Sequence, residues 1–277
     1  MQPKDSSNRR LGALSWRLRD LFWRLDPACD AHVTPAKHDW YPEMQWMFSR
    51  FDPADPNALV LAVKGGHNDE MHNQNDVGSF IVHVDQTSVI AEVGRGRYTR
   101  KYFINEYRYD FWVNSSLGHS VPVPNDCAQS FGEEYAAQVI EHQSDDAHDR
   151  LTLELKNAYP PEADLASLKR TVALHRDEPN GRIELVDDVT FASGEGTFES
   201  VLLTFGSAEI GPDFVLIQDR RARLHVQYDP AVVVAKSEVM KDVDLSTGPR
   251  DVTRVVFTLP NPAKSAQVRL ILTKSDA

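Results

Sequence analysis

The chain has 277 residues, of which 41% are apolar and 26% charged, so it can bury a sizeable core and has the composition of an ordinary globular protein. Its 30 lysines and arginines against 41 aspartates and glutamates give a net charge of −11, which argues against nucleic-acid binding, since that function needs a basic face. No apolar run approaches the length that crosses a bilayer, so we expect no transmembrane segment.

The first forty residues predict a helical segment followed by a linker. Leucines recur at helical spacing over residues 10–25, and Pro27 ends this amphipathic helix. Arginines interrupt the same stretch, so it lacks the apolar core of a secretory signal, and we expect either a cytoplasmic protein or a missing upstream segment. The two cysteines, Cys29 and Cys127, are too few for a disulfide scaffold. Free thiols are therefore expected, with one bridge as the alternative in an exported protein.

From Trp46 onward the pattern is that of β-strands. Apolar runs or strict alternation mark residues 59–63, 80–84, 88–93, 151–155, 183–185, 224–228 and 268–272. Turn signals such as Pro179-Asn180-Gly181 separate them. We count about a dozen strands, which is typical of two stacked sheets. The prediction is a mainly β fold, with a large antiparallel β-sandwich over residues 41–277 preceded by a short helical segment and linker over residues 1–40.

Polar side chains are concentrated in the segment Lys64–Phe80, which reads KGGHNDEMHNQNDVGSF. Its 17 residues hold two histidines, three asparagines, a glutamine, two aspartates and a glutamate, with three glycines. Apolar strands flank the segment on both sides, so its backbone is anchored at both ends. Polar groups fixed on a rigid scaffold are where functional sites form, although a surface loop can also be polar for solubility alone.

Two further segments carry candidate functional groups. Residues 95–108 form a basic patch in an acidic protein, with three tyrosines interleaved; its cations are Arg95, Arg97, Arg100, Lys101 and Arg108. Arginine pairs well with flat oxyanions and aromatic rings suit sugar faces, so the patch fits an anionic carbohydrate, with a solvated basic loop as the equal alternative. His119 lies in a small-residue turn, where a lone histidine is usually structural.

Together these segments resemble the heparinase II/III family of polysaccharide lyases, specifically its C-terminal β-sandwich portion. The resemblance covers about residues 46–175 well and the remaining strands loosely, and it depends on several motifs in order. These are Lys64–Asn68, His72–Phe80, Gly94–Thr99, Arg108–Trp112 and Gly118–Ser120 with Asn125 behind. One of these motifs alone would be weak evidence, and the ordered set is strong.

The resemblance implies part of a two-part enzyme that cleaves a uronic-acid polysaccharide by β-elimination. A helical α/α toroid would pack against the sandwich and complete the cleft, so we expect a truncated or split chain, with residues 1–40 as a remnant of the toroid. The implied partners are an anionic polysaccharide or oligosaccharide and a separate helical domain, with no nucleic acid. Relatives of this family imply the periplasm or cell envelope.

The same resemblance assigns roles to individual residues. His72 and Tyr109 match catalytic positions, His72 as base or as neutraliser of the substrate carboxylate, and Tyr109 in proton transfer. The alternative for Tyr109 is an aromatic packed beside Phe111 and Trp112. The expected substrate-binding residues are His67, Arg95, Arg97, Tyr98 and Arg108, and His67 alternatively holds its loop.

A divalent metal is the one cofactor that the resemblance implies. The ligand positions of the family fall on Gln74, Glu92 and His119 in this sequence. Glutamine is a poor zinc ligand, and oxygen-rich sets favour calcium or manganese. Three interpretations stay open: a harder metal, a weakened zinc site, or a hydrogen-bond network without metal.

Two other functions compete with the lyase. The first is a non-catalytic carbohydrate-binding sandwich. The second, which the sequence favours least, is a metal-dependent hydrolase built on His72, Glu92 and His119.

Overall fold

A computed structural model describes residues 34–275, and most of these residues lie in strands. The strands are β1 (His38–Tyr41), β2 (Trp46–Arg50), β3 (Val60–Lys64), β4 (His67–Asn68), β5 (Phe80–Val84), β6 (Thr87–Ile90), β7 (Val123–Pro124), β8 (Gly132–Ala136), β9 (Gln138–Ser144), β10 (His148–Glu154), β11 (Leu165–His175), β12 (Arg182–Phe191), β13 (Phe198–Thr204), β14 (Ser207–Ile210), β15 (Phe214–Asp219), β16 (Ala222–Gln227), β17 (Val234–Leu245), β18 (Gly248–Thr258) and β19 (Ser265–Lys274). The helical elements are α1 (Asn105–Arg108) and the 3₁₀ turns Lys101–Phe103, Ser116–Gly118, Lys156–Ala158 and Pro161–Ala163.

The strands form four sheets, and every pairing between them is antiparallel. The largest sheet has the order β14-β15-β16-β19-β12-β11-β10-β9, and a five-stranded sheet has the order β1-β2-β3-β5-β6. A four-stranded sheet has the order β17-β18-β13-β7, and β4 pairs with β8. Because hairpins join most neighbouring strands, the fold follows from the alternation and turn signals in the sequence.

One apolar core joins the three larger sheets. Strands of the eight-stranded sheet contribute residues such as Leu153 and Leu270, which are fully buried. Leu61 in the five-stranded sheet and Phe257 in the four-stranded sheet belong to the same cluster. Strands β3 and β10 alternate buried and less buried residues, as expected for sheets that face a common core on one side.

A second, smaller core lies on the other side of β13. Leu202 belongs to the main core, whereas its neighbours Val201 and Leu203 pack with Val93 and Tyr102. Both faces of β13 are therefore buried, which explains its nearly continuous apolar sequence. The second core lies beneath the polar segments that the sequence singled out, and it gives them a rigid base.

A buried ion pair ties the polar segments to the sandwich. Arg170 on β11 and Asp187 on β12 have fully buried side chains and form a two-pronged pair with distances of 2.7 and 2.8 Å. The same guanidinium donates through Nη1 to the carbonyl oxygens of Gly78 and Ser120 at 3.0 and 2.7 Å. Ser200 Oγ on β13 donates to Asp187 Oδ2 at 2.7 Å. Two loops and three strands thus meet at one charged group.

The predicted mainly β, antiparallel sandwich is confirmed. The structure contains more strands than the dozen predicted, because two-residue strands such as β4 and β7 carry no alternation that a sequence could reveal. Strand β1 begins at His38, three residues before the position from which the sandwich was predicted. The predicted helix over residues 10–25 and Cys29 lie outside the described residues, and Cys127 is a free thiol. Within residues 34–275, no helix has the length and apolar character needed to cross a membrane.

We predict that Arg170→Met lowers the free energy of unfolding by about 3–5 kcal/mol, because it leaves the Asp187 carboxylate buried without its charged partner. Urea denaturation followed by circular dichroism measures the change. The double variant Arg170→Met/Asp187→Leu should recover a large part of the loss, since no charge then stays buried. Lys241→Met, which breaks the exposed Lys241–Asp251 pair, serves as the control and should leave stability nearly unchanged. Equal stability of wild type and Arg170→Met would contradict the view that Arg170 compensates the buried charge of Asp187.

Candidate functional site

Two residues predicted to be catalytic, His72 and Tyr109, line the same cavity of about 200 Å³. His72 is exposed and has a positive φ of 62°, which places its side chain at the tip of the 64–80 loop. The remaining lining residues are Asp69, Glu70, Asn73, Phe103, Arg108 and Phe131. The cavity therefore brings an accessible imidazole together with a guanidinium and a phenol that lie 36 and 37 positions later in the chain.

The Tyr109 side chain is held on both its polar and its apolar side. Its hydroxyl donates to Asn73 Oδ1 at 2.9 Å, and its ring stacks on Phe131 with 4.9 Å between centroids. Burial raises the pKa of Tyr109 above its ordinary value, although the charge of nearby Arg108 opposes this. Tyr109 is thus a protonated phenol at neutral pH with a fixed orientation.

Arg108 is buried, and its guanidinium is occupied by backbone carbonyl groups. Nη1 donates to Tyr102 O at 3.1 Å and Nη2 donates to Asn73 O at 2.6 Å. The guanidinium carbon lies 5.9 Å from the centre of the Tyr109 ring. Arg108 therefore lines the cavity, but its hydrogen bonds hold the loop of Asn73 in place, and its positive charge lies beside the Tyr109 ring.

Side-chain amides join the three polar segments into one unit. Asn75 N donates to Asn114 O at 2.9 Å, and Asn114 Nδ2 donates to Arg108 O at 2.9 Å. The Tyr102 hydroxyl donates to Asn114 Oδ1 at 2.7 Å. Gln74 Nε2 donates to the carbonyl oxygens of Gly94 and Val113 at 3.0 and 2.5 Å. These bonds connect residues of the three polar segments to one another.

Gln129 connects the polar segments at a second place, and no motif in the sequence pointed to it. Its side-chain oxygen accepts from Asn68 Nδ2 and from Val77 N, both at 3.1 Å, and its Nε2 donates to Val77 O at 2.7 Å. Its own backbone N donates to Ser116 Oγ at 2.8 Å. One buried side-chain amide therefore holds the 64–80 segment at two points, Asn68 and Val77.

The predicted substrate-binding residues lie in three different settings. Arg95 is exposed, and its guanidinium carbon lies 4.5 Å from the centre of the Tyr98 ring. Tyr98 in turn packs edge-on against exposed Phe103, which lines the cavity of His72. Arg97 is exposed and paired with Asp244 at 3.1 Å. His67 is half-buried in β4, where its Nδ1 accepts from Asp69 N at 3.1 Å, so it holds its loop.

A separate cluster of ionisable groups lies at the predicted metal position. One possible ligand atom from each of Asp76, Glu92 and His119 lies within 4.8 Å of the others, so this group could hold a metal ion. Asp76 was not named from the sequence, although it belongs to the quoted motif. His72 is not a member of any such group among the described residues, so the ligand set of the hydrolase hypothesis is not assembled.

Each residue that could ligate a metal in this cluster already forms an ion pair or hydrogen bond with another protein group. Lys64 Nζ lies 2.6 Å from Asp76 Oδ1 and 3.1 Å from Glu70 Oε2. His119 Nδ1 bonds Glu92 Oε2, and His119 Nε2 lies 3.2 Å from Val113 O. Burial alone would lower the pKa of His119, but the carboxylate of Glu92 outweighs it and raises that pKa. Burial likewise opposes ionisation of Glu92, yet His119 lowers the pKa of Glu92 below its usual value.

Comparison with known proteins identifies the fold but not the sequence family. No model of a protein family matches this sequence, and no curated protein matches it. Heparan sulfate lyase HepC from Pedobacter heparinus superposes with a TM-score of 0.74 and 16% identity, over 98% of this chain and 42% of its own. Two heparinase III structures superpose with TM-scores of 0.70 and 0.69 at 16% and 14% identity.

The chain spans about two-fifths of the length of these structures, since the aligned share of the three is 42%, 36% and 37%. At this level of identity the likeness establishes the fold alone. The resemblance to the heparinase II/III type that the motifs indicated is confirmed at that level, and the activity of the neighbours is not transferred to this chain by it.

We predict that the Tyr109 phenol ionises above the usual pKa of 10, because burial disfavours its anion. The measurement is an ultraviolet titration in which the curve of Tyr109→Phe is subtracted from that of wild type. Tyr107→Phe, which removes a phenol from an exposed tyrosine in α1, is the matched control. A Tyr109 difference curve with its midpoint at or below pH 10 would show that the buried orientation is wrong.

Proposed function

We propose that this chain forms part of a polysaccharide lyase that cleaves a uronic-acid polymer by β-elimination. The observation that carries the proposal is the presence of His72 and Tyr109 in one cavity with Arg108 behind them. The heparinase III-like fold supports the same reaction class. The proposed substrate is an anionic polysaccharide or oligosaccharide.

The reaction assigns one proton transfer to each of the two side chains. A base removes the C5 proton next to the carboxylate, the electron pair forms the C4=C5 double bond, and the C4–O bond breaks. His72 is the base in this scheme, because it is accessible and histidine is the side chain that most often serves as a general base. Tyr109 gives its proton to the leaving oxygen, because burial raises its pKa and keeps it protonated.

The substrate carboxylate also needs positive charge or hydrogen-bond donors, since charge develops on it as C5 loses its proton. Arg108 contributes positive potential to the cavity, but its guanidinium donates to the backbone carbonyl oxygens of Tyr102 and Asn73. Asp69 and Glu70 add negative charge to the cavity wall, although Lys64 is paired with Glu70. The proposal therefore includes a second, helical domain that supplies the missing donors and closes the cleft.

The decisive experiment uses protein expressed from its complete natural gene and mixed with heparan sulfate, hyaluronan, chondroitin or alginate. We expect one polymer to yield products with the ultraviolet absorbance of unsaturated uronates. Tyr109→Phe and His72→Ala should each lower kcat by about 10²–10⁴-fold, which is the usual contribution of a general acid or base. Tyr107→Phe is the control and should keep full activity. Saturated products, or full activity in both site variants, would rule the proposal out.

A carbohydrate-binding role without catalysis is the second candidate, and the exposed residues beside the cavity favour it. Arg95 covers Tyr98, and Tyr98 and Phe103 are 44% and 55% exposed, so a cation and two rings form one ridge. Aromatic faces stack on sugar rings, and arginine pairs with carboxylate or sulfate.

For this ridge we predict that Arg95→Ala and Tyr98→Ala each weaken binding of an anionic oligosaccharide by roughly three- to tenfold. Calorimetry at two salt concentrations measures the affinity, and only the Arg95 variant should lose salt dependence. Arg221→Ala, an exposed arginine in the β15–β16 turn, is the matched control. Binding by this chain, together with turnover by the longer protein that neither Tyr109→Phe nor His72→Ala lowers, would favour the non-catalytic role for this domain.

A further inference from the structure

The cluster of Lys64, Asp76, Glu92 and His119, here called the charge cluster, has contacts that differ from those of a metal site. A histidine ligates a metal through a nitrogen lone pair, and the ring must be neutral to do so. In this cluster both ring nitrogens of His119 face acceptors, the Glu92 carboxylate and the Val113 carbonyl oxygen. Both nitrogens are therefore already engaged by protein oxygens in this arrangement, and neither faces an open position where an ion could lie.

The position of Lys64 also differs from what a metal site requires. Its ammonium lies 2.6 Å from Oδ1 of Asp76, one of the three residues that could hold an ion. The Lys64 side chain is 16% exposed and that of Asp76 is 11% exposed. A dication bound to Asp76 would lie close to this ammonium with little water between them, and two like charges at such a distance repel strongly.

The carboxylates of the cluster already have partners without an ion. Asp76 is paired with Lys64, and Glu92 is bonded to His119. Glu70 at the outer edge lies 3.1 Å from the same ammonium. Buried charge is stable only when it is paired and hydrogen-bonded, and the cluster meets that condition through its own side chains.

We propose that Lys64 occupies the role of a metal ion in the charge cluster and, by its charge, keeps divalent ions out. The ammonium on β3 joins Asp76 in the 64–80 loop, while His119 joins Glu92, so the two loops are fixed by the chain itself. This inference does not depend on the lyase activity, and it selects the metal-free network from the three interpretations that the sequence left open.

A metal ion could reach the cluster through a cavity. Its proposed exclusion would therefore reflect weak binding at equilibrium and not a blocked path. A cavity of about 240 Å³ reaches the cluster and is lined by Lys64, Asp76, Glu92 and the Trp46 and Phe80 rings. Glu92 Oε1 is buried and has no hydrogen-bond partner among the described residues. Removal of the Lys64 charge would therefore free Asp76 Oδ1 beside an oxygen that is already available, which are the ligands that a dication needs.

The test measures metal content and metal binding of the full chain, not activity. Protein is dialysed against a chelator and then titrated with Zn²⁺, Ca²⁺ or Mn²⁺ alone, with bound ion measured by equilibrium dialysis and elemental analysis. We expect wild type to hold well below one ion per chain. Lys64→Met, which keeps an apolar stem and removes the charge, should bind one ion at least about tenfold more tightly than wild type.

Two further variants keep the inference falsifiable if Lys64→Met folds poorly. Lys64→Arg retains a cation and should bind as little metal as wild type, and Lys64→Met/Glu92→Gln should lose the binding gained in the single variant. Circular dichroism melting confirms folding of each variant. One equivalent of metal in wild type after dialysis would overturn the inference whatever the variants do, and so would equal binding by wild type and folded Lys64→Met.

Discussion

The buried pair of Arg170 and Asp187 is the constraint on which the polar half of the molecule depends. A guanidinium has five N–H groups, and burying it is costly unless all of them find acceptors. Nε and Nη2 bond the Asp187 carboxylate, Nη2 also reaches Ser200 Oγ at 3.5 Å, and Nη1 bonds the carbonyl oxygens of Gly78 and Ser120. Those two carbonyl groups can satisfy the guanidinium only if their loops stay where they are, so the loops of Asp76 and His119 are fixed by the needs of a core charge.

The abundance of asparagine and glutamine in these loops has the same physical origin. A loop that lies on a core without forming regular strands must still satisfy its backbone N–H and C=O groups. Gln129 does this for Val77 on both its N–H and its C=O, and Gln74 does it for Gly94 and Val113. Side-chain amides replace the missing ladder bonds, and the site residues His72 and Tyr109 inherit a rigid base from them.

The sandwich was predictable because its strands carry the signal that defines them. Residues 80–84 were predicted as a strand and form β5, and the alternation over residues 151–155 lies in β10 and at its end. Strands β4 and β7 were not found, because a two-residue pairing is decided by its partner and leaves no period in the sequence. The local pattern therefore finds strands with clear alternation and misses those without it, including long ones such as β17 and β18.

The candidate site was predictable in its members but not in its contacts. His72 and Tyr109 were named from motifs and line one cavity, while Asn73, which holds the Tyr109 hydroxyl, was passed over within the same motif. Phe131 stacks on Tyr109 from outside every motif, so only the folded chain reveals it. Arg108 was expected to bind a ligand, yet it is buried, and its guanidinium donates hydrogen bonds to two backbone carbonyl oxygens.

Ion pairing also bears on the proposal that this acidic chain binds an anionic polymer. Its net charge of −11 would repel a polyanion at long range, but screening by salt confines that repulsion to about 10 Å at ordinary ionic strength. Near the cavity, the carboxylates Glu70 and Asp76 are paired with Lys64, and Glu92 is paired with His119. An internal ammonium neutralises these groups as an ion would, but it is covalently part of β3. The local potential then depends on the fold alone, whereas a bound dication would make it depend on the supply of metal.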